Sequence, residues 1–343
     1  MSIEIAIVAD DLTGALDSST SFALAGWRVA VATRPQWLPA AIASGADIVA
    51  VSTASRALPP AEAAKRVAEV AALLAAAKPR IVFKKIDSRL KGNVGAETEA
   101  LAAAFGFPAL LVAPATPDQG RLTLAGAVTG RGVETPIPIA PRFASADRQV
   151  RIADAACEAD LDRLVAGTDW TATLAVGARG LGAAFARRGA AGTQPVFAPQ
   201  VETLFAIGSR DPITEAQVAH VAGARRYEAP LGSFAGEIAQ LPALLCSTGP
   251  DRGPDEAISQ RFASAVGAAV ERLSPKTLVM SGGDTALAIL DRLGVGLVFP
   301  QGEAGAGLPW FLIEPENRPS IRAVVKSGGF GNSDALAALL PQL

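Results

Sequence analysis

Short, unbroken apolar runs alternate along the chain with longer Ala/Leu-rich stretches whose apolar positions recur at helical spacing. Continuous apolar runs bounded by turn residues read as strands buried on both faces, and the longer stretches as helices packed over them. That alternation predicts an α/β protein with mainly parallel sheets flanked by helices. In the first half, strands are expected at Ile3–Ala9, Arg28–Thr33, Asp47–Ser52, Arg80–Lys84 and Ala109–Ala113. Helices are expected from about Gly14 to Gly26, over Pro60–Ala77 and over Val94–Phe105. The period is then lost in a Gly-, Pro- and Thr-rich stretch from Pro114 to Pro141, which reads as an irregular segment of the kind that carries or covers a site. Alternation resumes with a helix at Glu158–Val165, a strand at Ala172–Val176 and a helix at Leu181–Arg188.

A Gly-, Ala- and Pro-containing segment, Gly189–Pro199, follows, and a second α/β series begins after it. Its strands are expected at Leu204–Gly208, Ala243–Ser247, Thr277–Ser281, Trp310–Ile313 and Ala323–Ser327. Its helices are expected at Thr214–Ala222, Pro254–Leu273, Thr285–Leu293 and Ser333–Leu340. Two domains are therefore predicted, spanning 1–195 and 200–343, which suits a chain of 343 residues. No fixed-period repeat is visible.

Composition narrows the chemistry. Charged residues make up 19% of the chain and the net charge is −2, with Lys and Arg scattered, so neither disorder nor a nucleic-acid partner is indicated. The most apolar helical stretch, Val67–Ala77, is too short to span a bilayer. The first residues lack the pattern of a secretory signal, and the two cysteines, Cys157 and Cys246, are far apart; a reducing cytoplasm is the expected setting. The single histidine, His220, lies in a predicted helix away from every motif, which leaves Ser-His-Asp, Cys-His and His-based metal chemistry little to work with. Asp, Glu, Lys, Arg, Ser, Thr and backbone amides remain.

In open α/β sheets ligands bind beyond the carboxyl ends of the strands. In the first half those ends carry charge: Asp10-Asp11-Leu12-Thr13-Gly14 with Asp17 beyond, Ser52 through Arg56, Lys84 through Asn93, and Pro114 through Arg121. Paired carboxylates can accept hydrogen bonds from a polyol and draw a proton from an attacking hydroxyl, and arginine can grip a carboxylate through two parallel hydrogen bonds. Asp10 or Asp11 can equally serve as a helix cap, and the lysines as solvated loop charges. In the second half the strand ends carry glycine: Gly208 through Pro212, Ser281-Gly282-Gly283-Asp284-Thr285, and Lys326 through Asn332. Glycine lets backbone amides approach a phosphate, and a following helix N-terminus favours its charge. Ser209 and Thr285 can add hydroxyls, and Asp284 can hold Mg²⁺ directly or through water. None of these junctions matches the P-loop or the dinucleotide fingerprint.

Taken in order, Ala9 through Ala15, Lys84 through Gly92, Pro114 through Arg121, Ser281 through Thr285 and Lys326 through Gly331 resemble the four-carbon acid sugar kinase family, which includes threonate, erythronate and 3-oxo-tetronate kinases. The resemblance implies an N-terminal sugar-acid-binding domain, a C-terminal ATP-binding domain using Mg²⁺, and an active site in the cleft between them. It places Asp10, Asp11, Arg56, Lys85, Asp87 and Arg89 on the substrate. Ser209, Gly282, Gly283, Asp284, Thr285, Gly328, Gly329 and Gly331 fall on the nucleotide, with Asp284 as the metal ligand. Asp11 or Asp87 would orient or deprotonate the attacking hydroxyl, and Arg89, joined by Arg56, would hold the carboxylate. Where the family has Gly-Ser-x-Ser-x-x-Thr, this chain reads Gly208-Ser209-Arg210-Asp211-Pro212-Ile213-Thr214, and Ser52 stands where an acidic residue is frequent. A haloacid-dehalogenase-like phosphatase is the rival enzyme, but its nucleophile would fall on Ala9. A Schiff-base role for Lys85 would leave the glycine junctions unexplained. A sensor binding sugar acid and nucleotide without turnover is the non-enzymatic alternative. A homodimer is left open.

Overall fold

The computed structural model describes residues 3–144, 146, 148–189, 195–250, 255–314 and 319–341. The chain divides into two compact units, Met1–Thr193 and Gln194–Leu343. Ala190 through Gln194 of the expected boundary segment, and Pro254 of an expected helix, lie outside the described residues.

The first unit runs β1 (Ile5–Ala9), α1 (Leu12–Leu24), β2 (Val29–Ala32), α2 (Leu38–Ala43), β3 (Ile48–Ser52), α3 (Pro60–Ala77), β4 (Ile81–Lys85), α4 (Val94–Phe105) and β5 (Ala109–Ala113). It continues through β6 (Arg121–Leu124), β7 (Ala127–Gly130), β8 (Ile137–Pro138), β9 (Gln149–Ile152), α5 (Glu158–Gly167), β10 (Thr173–Gly177) and α6 (Arg179–Ala186). Its main sheet is ordered β2-β3-β1-β4-β10-β5-β9 with every one of these pairs parallel. The central strand β1 is buried along its whole length and places Ile7 between Ala50 and Phe83. With both faces of the strand covered, polar side chains are displaced to its ends.

Helix limits follow local chemistry. Asp11 caps α1 by accepting a hydrogen bond from the Gly14 amide. Pro60 opens α3, where its fixed φ and missing N–H are tolerated. Gly106 closes α4 in the left-handed conformation. The expected irregular stretch after Pro114 is instead a small antiparallel sheet, β6-β7-β8. Its hairpin turns at Ala125 and Gly126, both with positive φ, the backbone hand that matches the twist of paired strands.

The second unit contains β11 (Thr203–Ile207), α7 (Pro212–Ala219), β12 (Arg225–Pro230), β13 (Ala243–Thr248), α8 (Glu256–Leu273), β14 (Thr277–Ser281), α9 (Gly283–Arg292), β15 (Leu297–Val298), β16 (Pro300–Gly305), β17 (Leu308–Ile313) and β18 (Ile321–Lys326). The sheet order is β12-β13-β11-β14-β18-β17-β16, parallel from β12 to β18 and antiparallel beyond. The expected helix at Ser333–Leu340 reduces to a single 3-10 turn, Ala337–Leu339. Pro341, which disfavours helical backbone at the residue before it, closes the segment. Leu336 and Leu339 nevertheless pack into the core with Phe205, Val279, Trp310 and Val324.

Phe83, fully buried on β4, lies 6.1 Å from Phe185 of α6, whose ring meets Trp170 edge-on at 4.9 Å. Phe83→Ala is expected to destabilise the first unit by about 3–5 kcal/mol through lost burial and a cavity. Urea unfolding followed by tryptophan fluorescence checks this, and a loss below about 1 kcal/mol would contradict a tightly packed centre.

Candidate functional site

At the carboxyl end of β1 the chain leaves a fully buried strand and meets two aspartates in succession. Arg56, delivered by the loop after β3, clamps both. Its Nε and Nη2 donate to Asp10 at 2.7 and 2.9 Å, and its Nη1 donates to Asp11 Oδ2 at 2.8 Å. Asp11 also accepts from the Thr13 hydroxyl at 2.6 Å and the Gly14 amide at 2.8 Å. The capping alternative is therefore realised for Asp11, and one carboxylate lone pair on Oδ1 remains.

The two carboxyls are pushed apart in proton affinity. Burial alone would raise Asp10, but Arg56, Lys84 and Lys85 outweigh it and hold the carboxyl below its ordinary value. For Asp11 burial wins; Arg56 opposes it, while the Asp10 charge adds to it, and the carboxyl is raised. Neighbouring carboxyls with opposed shifts are how proteins separate a fixed anion from a proton acceptor. Between the two carboxylates the guanidinium is held firmly charged, since their attraction exceeds the cost of its burial.

Beneath this pair lies a buried ionic network. Lys84 and Glu97, each with 1% of the side chain exposed, form an ion pair at 2.8 Å. Lys84 also donates to the carbonyl of Lys85 at 3.1 Å. Glu97 accepts from Ser55 at 2.7 Å, Ser55 shares a hydrogen bond with Thr53 at 2.6 Å, and Thr53 donates to the Ala9 carbonyl at 2.9 Å. Asn93 adds hydrogen bonds to the Ser55 and Leu58 carbonyls. One network thus fastens the strand ends bearing Asp10, Arg56 and Lys85.

Lys85 is buried at the same edge and spends one donor on the Ile86 carbonyl at 3.0 Å, while its charge acts on Asp10 and Asp11. Asp87 Oδ1 accepts from the amides of Arg89 and Lys91, leaving Oδ2 without a hydrogen bond among the described residues. The Arg89 guanidinium likewise donates to no described residue. Its charge reaches Arg121, which burial and Arg89 together hold below the ordinary arginine value. Arg121 donates to Ser88 at 2.6 Å. The charged strand ends are not all adjacent: β10 inserts between β4 and β5, and its following helix brings Arg179 to Asp17 at 2.8 Å and to Asp118 at 3.2 Å.

In the second unit three glycine junctions converge on adjacent strands. The Gly208 and Ser209 amides both donate to the Ser281 carbonyl at 3.0 Å, and the Gly282 amide donates to the Lys326 carbonyl at 2.9 Å. A side chain at Gly208 would collide with Thr285, and a Cβ at Gly328 would stand 2.5 Å from Ser209 Oγ and 3.0 Å from Asp211 Cβ. Gly282 has φ 105°, a conformation other residues rarely adopt. It forms the N-cap of α9 without a side-chain cap, so the amides of Gly283, Asp284 and Thr285 keep no acceptor among the described residues. An uncapped helix N-terminus with free amides is an anion site. Asp284 is exposed there, and Thr285 is buried against Gly208. Gly331 has φ 88°, and its neighbours Phe330 and Asn332 offer their carbonyls to Gln217 at 3.0 and 2.7 Å.

His220 is exposed at the end of α7 and bonds the Ser333 carbonyl, outside both clusters. Glu97 and Gln217 were not singled out by the sequence, and Ser55 was named only as part of the strand end Ser52 through Arg56. Glu97 and Gln217 lie inside helices, with no motif to mark them; they are recognisable only once burial shows polar side chains in an apolar layer.

A model of a sugar-binding N-terminal domain matches residues 5–137, and a model of a nucleotide-binding C-terminal domain matches residues 237–336. A D-threonate kinase of Cupriavidus necator is 31% identical over 407 aligned positions, covering 96% of this chain and 95% of the relative. A D-threonate kinase of Bordetella bronchiseptica is 29% identical, with coverage of 97% and 95%. A 3-oxo-tetronate kinase of Methylobacterium radiotolerans is 26% identical across the whole of both chains, 100% and 100%. Solved chains from Salmonella typhimurium (TM-score 0.75, 19% identical, coverage 97% and 98%) and Haemophilus influenzae (TM-score 0.68, 20% identical, coverage 97% and 98%) share the fold.

Opposed shifts give opposed stability effects. The lowered Asp10 carboxyl stabilises the fold above the ordinary value of 3.8, and that contribution is lost as pH falls through its folded value. The raised Asp11 carboxyl costs stability above its folded value, a cost relieved as pH falls toward 3.8. Asp10→Asn is therefore expected to lower the urea midpoint at neutral pH, and Asp11→Asn to leave it unchanged or raise it. Equal losses in both variants would contradict the assignment. Glu97→Gln, which leaves the Lys84 ammonium buried without its counter-charge, is expected to cost about 3–5 kcal/mol in the same measurement.

Proposed function

We propose that this chain, which belongs to the four-carbon acid sugar kinase family, moves the γ-phosphate of ATP onto a hydroxyl of a small sugar acid of the threonate, erythronate or 3-oxo-tetronate class. The carrying observation is the Asp10–Arg56–Asp11 clamp, in which one carboxyl stays anionic while its neighbour gains proton affinity. Nucleotide use rests on the matched nucleotide-binding domain and on the kinase relatives.

In this reading Asp10 and Arg56 form a fixed ionic frame, and Asp11 takes the proton of the attacking hydroxyl. The Asp87 Oδ2 oxygen accepts a hydrogen bond from a second hydroxyl, and Arg89, with no hydrogen-bond partner among the described residues, holds the substrate carboxylate. Lys85 adds positive charge where the phosphoryl group arrives. The substrate oxygen forms its bond to the γ-phosphorus as the bond to the β–γ bridging oxygen breaks, and ADP leaves with that electron pair. Positioning and charge stabilisation carry most of such a transfer. On the nucleotide side the free amides at the start of α9, together with Gly328 and Gly329, receive the phosphates, flanked by Ser209 and Thr285. No group of three or more His, Cys, Asp or Glu able to hold a metal is found among the described residues. One exposed carboxylate at a helix N-terminus fits an Mg²⁺ that would arrive bound to the nucleotide rather than be held by the protein alone. Asp284 would hold that ion, which when bound neutralises phosphate charge. No helix among the described residues is long and apolar enough to cross a membrane; a cytoplasmic setting would supply the ATP.

ADP release measured with ATP and a panel of C4 sugar acids tests the reading. Acid-dependent turnover is expected; tight binding of both ligands with no turnover would make the protein a sensor and end the proposal. Asp11→Asn is expected to lower kcat by about a hundredfold or more while ATP affinity is retained. Gly328→Val, whose side chain would displace Ser209, is expected to weaken ATP binding about tenfold or more with acid binding unaffected.

A further inference from the structure

Lys326 ends β18 with its side chain 0% exposed. Burying an ammonium is costly unless a counter-charge or a full set of acceptors receives it. Here no carboxylate bonds to it among the described residues. Its three donors go to the Thr214 hydroxyl at 2.9 Å, the Ser327 carbonyl at 3.1 Å and the Gly328 carbonyl at 2.9 Å. Thr214 itself donates to the same Gly328 carbonyl at 2.8 Å. The lysine therefore sits beneath the glycine turn and draws two successive carbonyls onto one charge.

Peptide planarity gives this a consequence. In a trans peptide the C=O and the next N–H point in opposite directions. Drawing the Ser327 and Gly328 carbonyls inward turns the Gly328 and Gly329 amides outward, and neither amide has a hydrogen-bond acceptor among the described residues. Successive outward amides over a buried positive charge form a concavity suited to an anion. Resting on the nucleotide reading of this unit, we propose that Lys326 is a positioning residue for nucleotide phosphate: it aims the Gly328 and Gly329 amides and supplies a desolvated positive charge beneath them.

Burial pulls the Lys326 ammonium down to about 8, against a modest opposing pull from Asp211 at the N-cap of α7. Asp211 is the charged group whose field acts on it, and Cys246, on the same sheet, is pushed up to about 11, above the relevant window. An anionic ligand favours the protonated lysine, so nucleotide affinity should be full below about 8 and decline as pH rises through it.

The test is calorimetric titration of the full chain with ADP and ATP between pH 7 and 9.5, with adenosine as a phosphate-free probe. In wild type, ADP and ATP affinity is expected to fall about tenfold over that range while adenosine affinity stays level. Lys326→Met is expected to bind ADP and ATP about tenfold or more weakly at pH 7, with a flat pH profile and unchanged adenosine affinity and sugar-acid KM. Lys326→Arg, permanently charged, should retain more affinity than the methionine variant and also lose the pH dependence. A flat wild-type profile overturns the proposal even if the methionine variant does not fold, as does a Lys326→Met protein that binds ADP like wild type. Failure of wild type to bind any adenine nucleotide would instead remove the kinase reading itself.

Discussion

Both units are built on strands buried on two faces, and that single constraint organises the rest. A strand such as Ile5–Ala9 can carry no polar side chain along its length without an internal partner, so chemistry is displaced to the point where the strand leaves the sheet. Parallel pairing then aligns those points along one edge. Asp10, Arg56 and Lys85 are neighbours because β3, β1 and β4 are neighbours, although the sequence separates β1 from β4 by five intervening elements, α1, β2, α2, β3 and α3.

The same constraint is met by opposite electrostatic means in the two units. The first places formal charges at its strand ends and must support them, which it does through the Lys84–Glu97 pair and the hydroxyls of Ser55 and Thr53. Such a network is held together by mutual satisfaction: each member alone would be a buried, unpaired group. The second unit relies on backbone dipoles at glycine turns, with Lys326 as the buried charge that orients one of them. Side-chain charge suits a small hydroxylated acid that must be held by several specific contacts. Amide dipoles suit a phosphate chain, whose oxygens accept from many directions and need close approach more than shape.

Much of this was legible in the chain. Helices Pro60–Ala77 and Val94–Phe105 and strand Thr277–Ser281 have the limits their apolar pattern predicts, since Pro60, the Gly106 stop and the Gly282-Gly283 turn mark the ends locally. Strands β9, β12 and β16 gave no such signal: at the sheet edges they carry the mixed burial that a short periodic pattern does not distinguish from loop. The helix expected over Ser333–Leu340 failed because its apolar residues answer to the tertiary core rather than to a helical period.

From its own order of residues, this protein determined its α/β class, the alternation of elements, and which residue types emerge at each strand end, because those depend on neighbours in sequence. Tertiary structure alone decided which ends meet. It inserted β10 between β4 and β5, set Arg56 across two aspartates, paired Lys84 with a glutamate thirteen positions later in a helix, and sank Lys326 beneath a glycine turn. Proton affinity and ion pairing depend on distance and on exclusion of water, and neither quantity exists until the chain has packed.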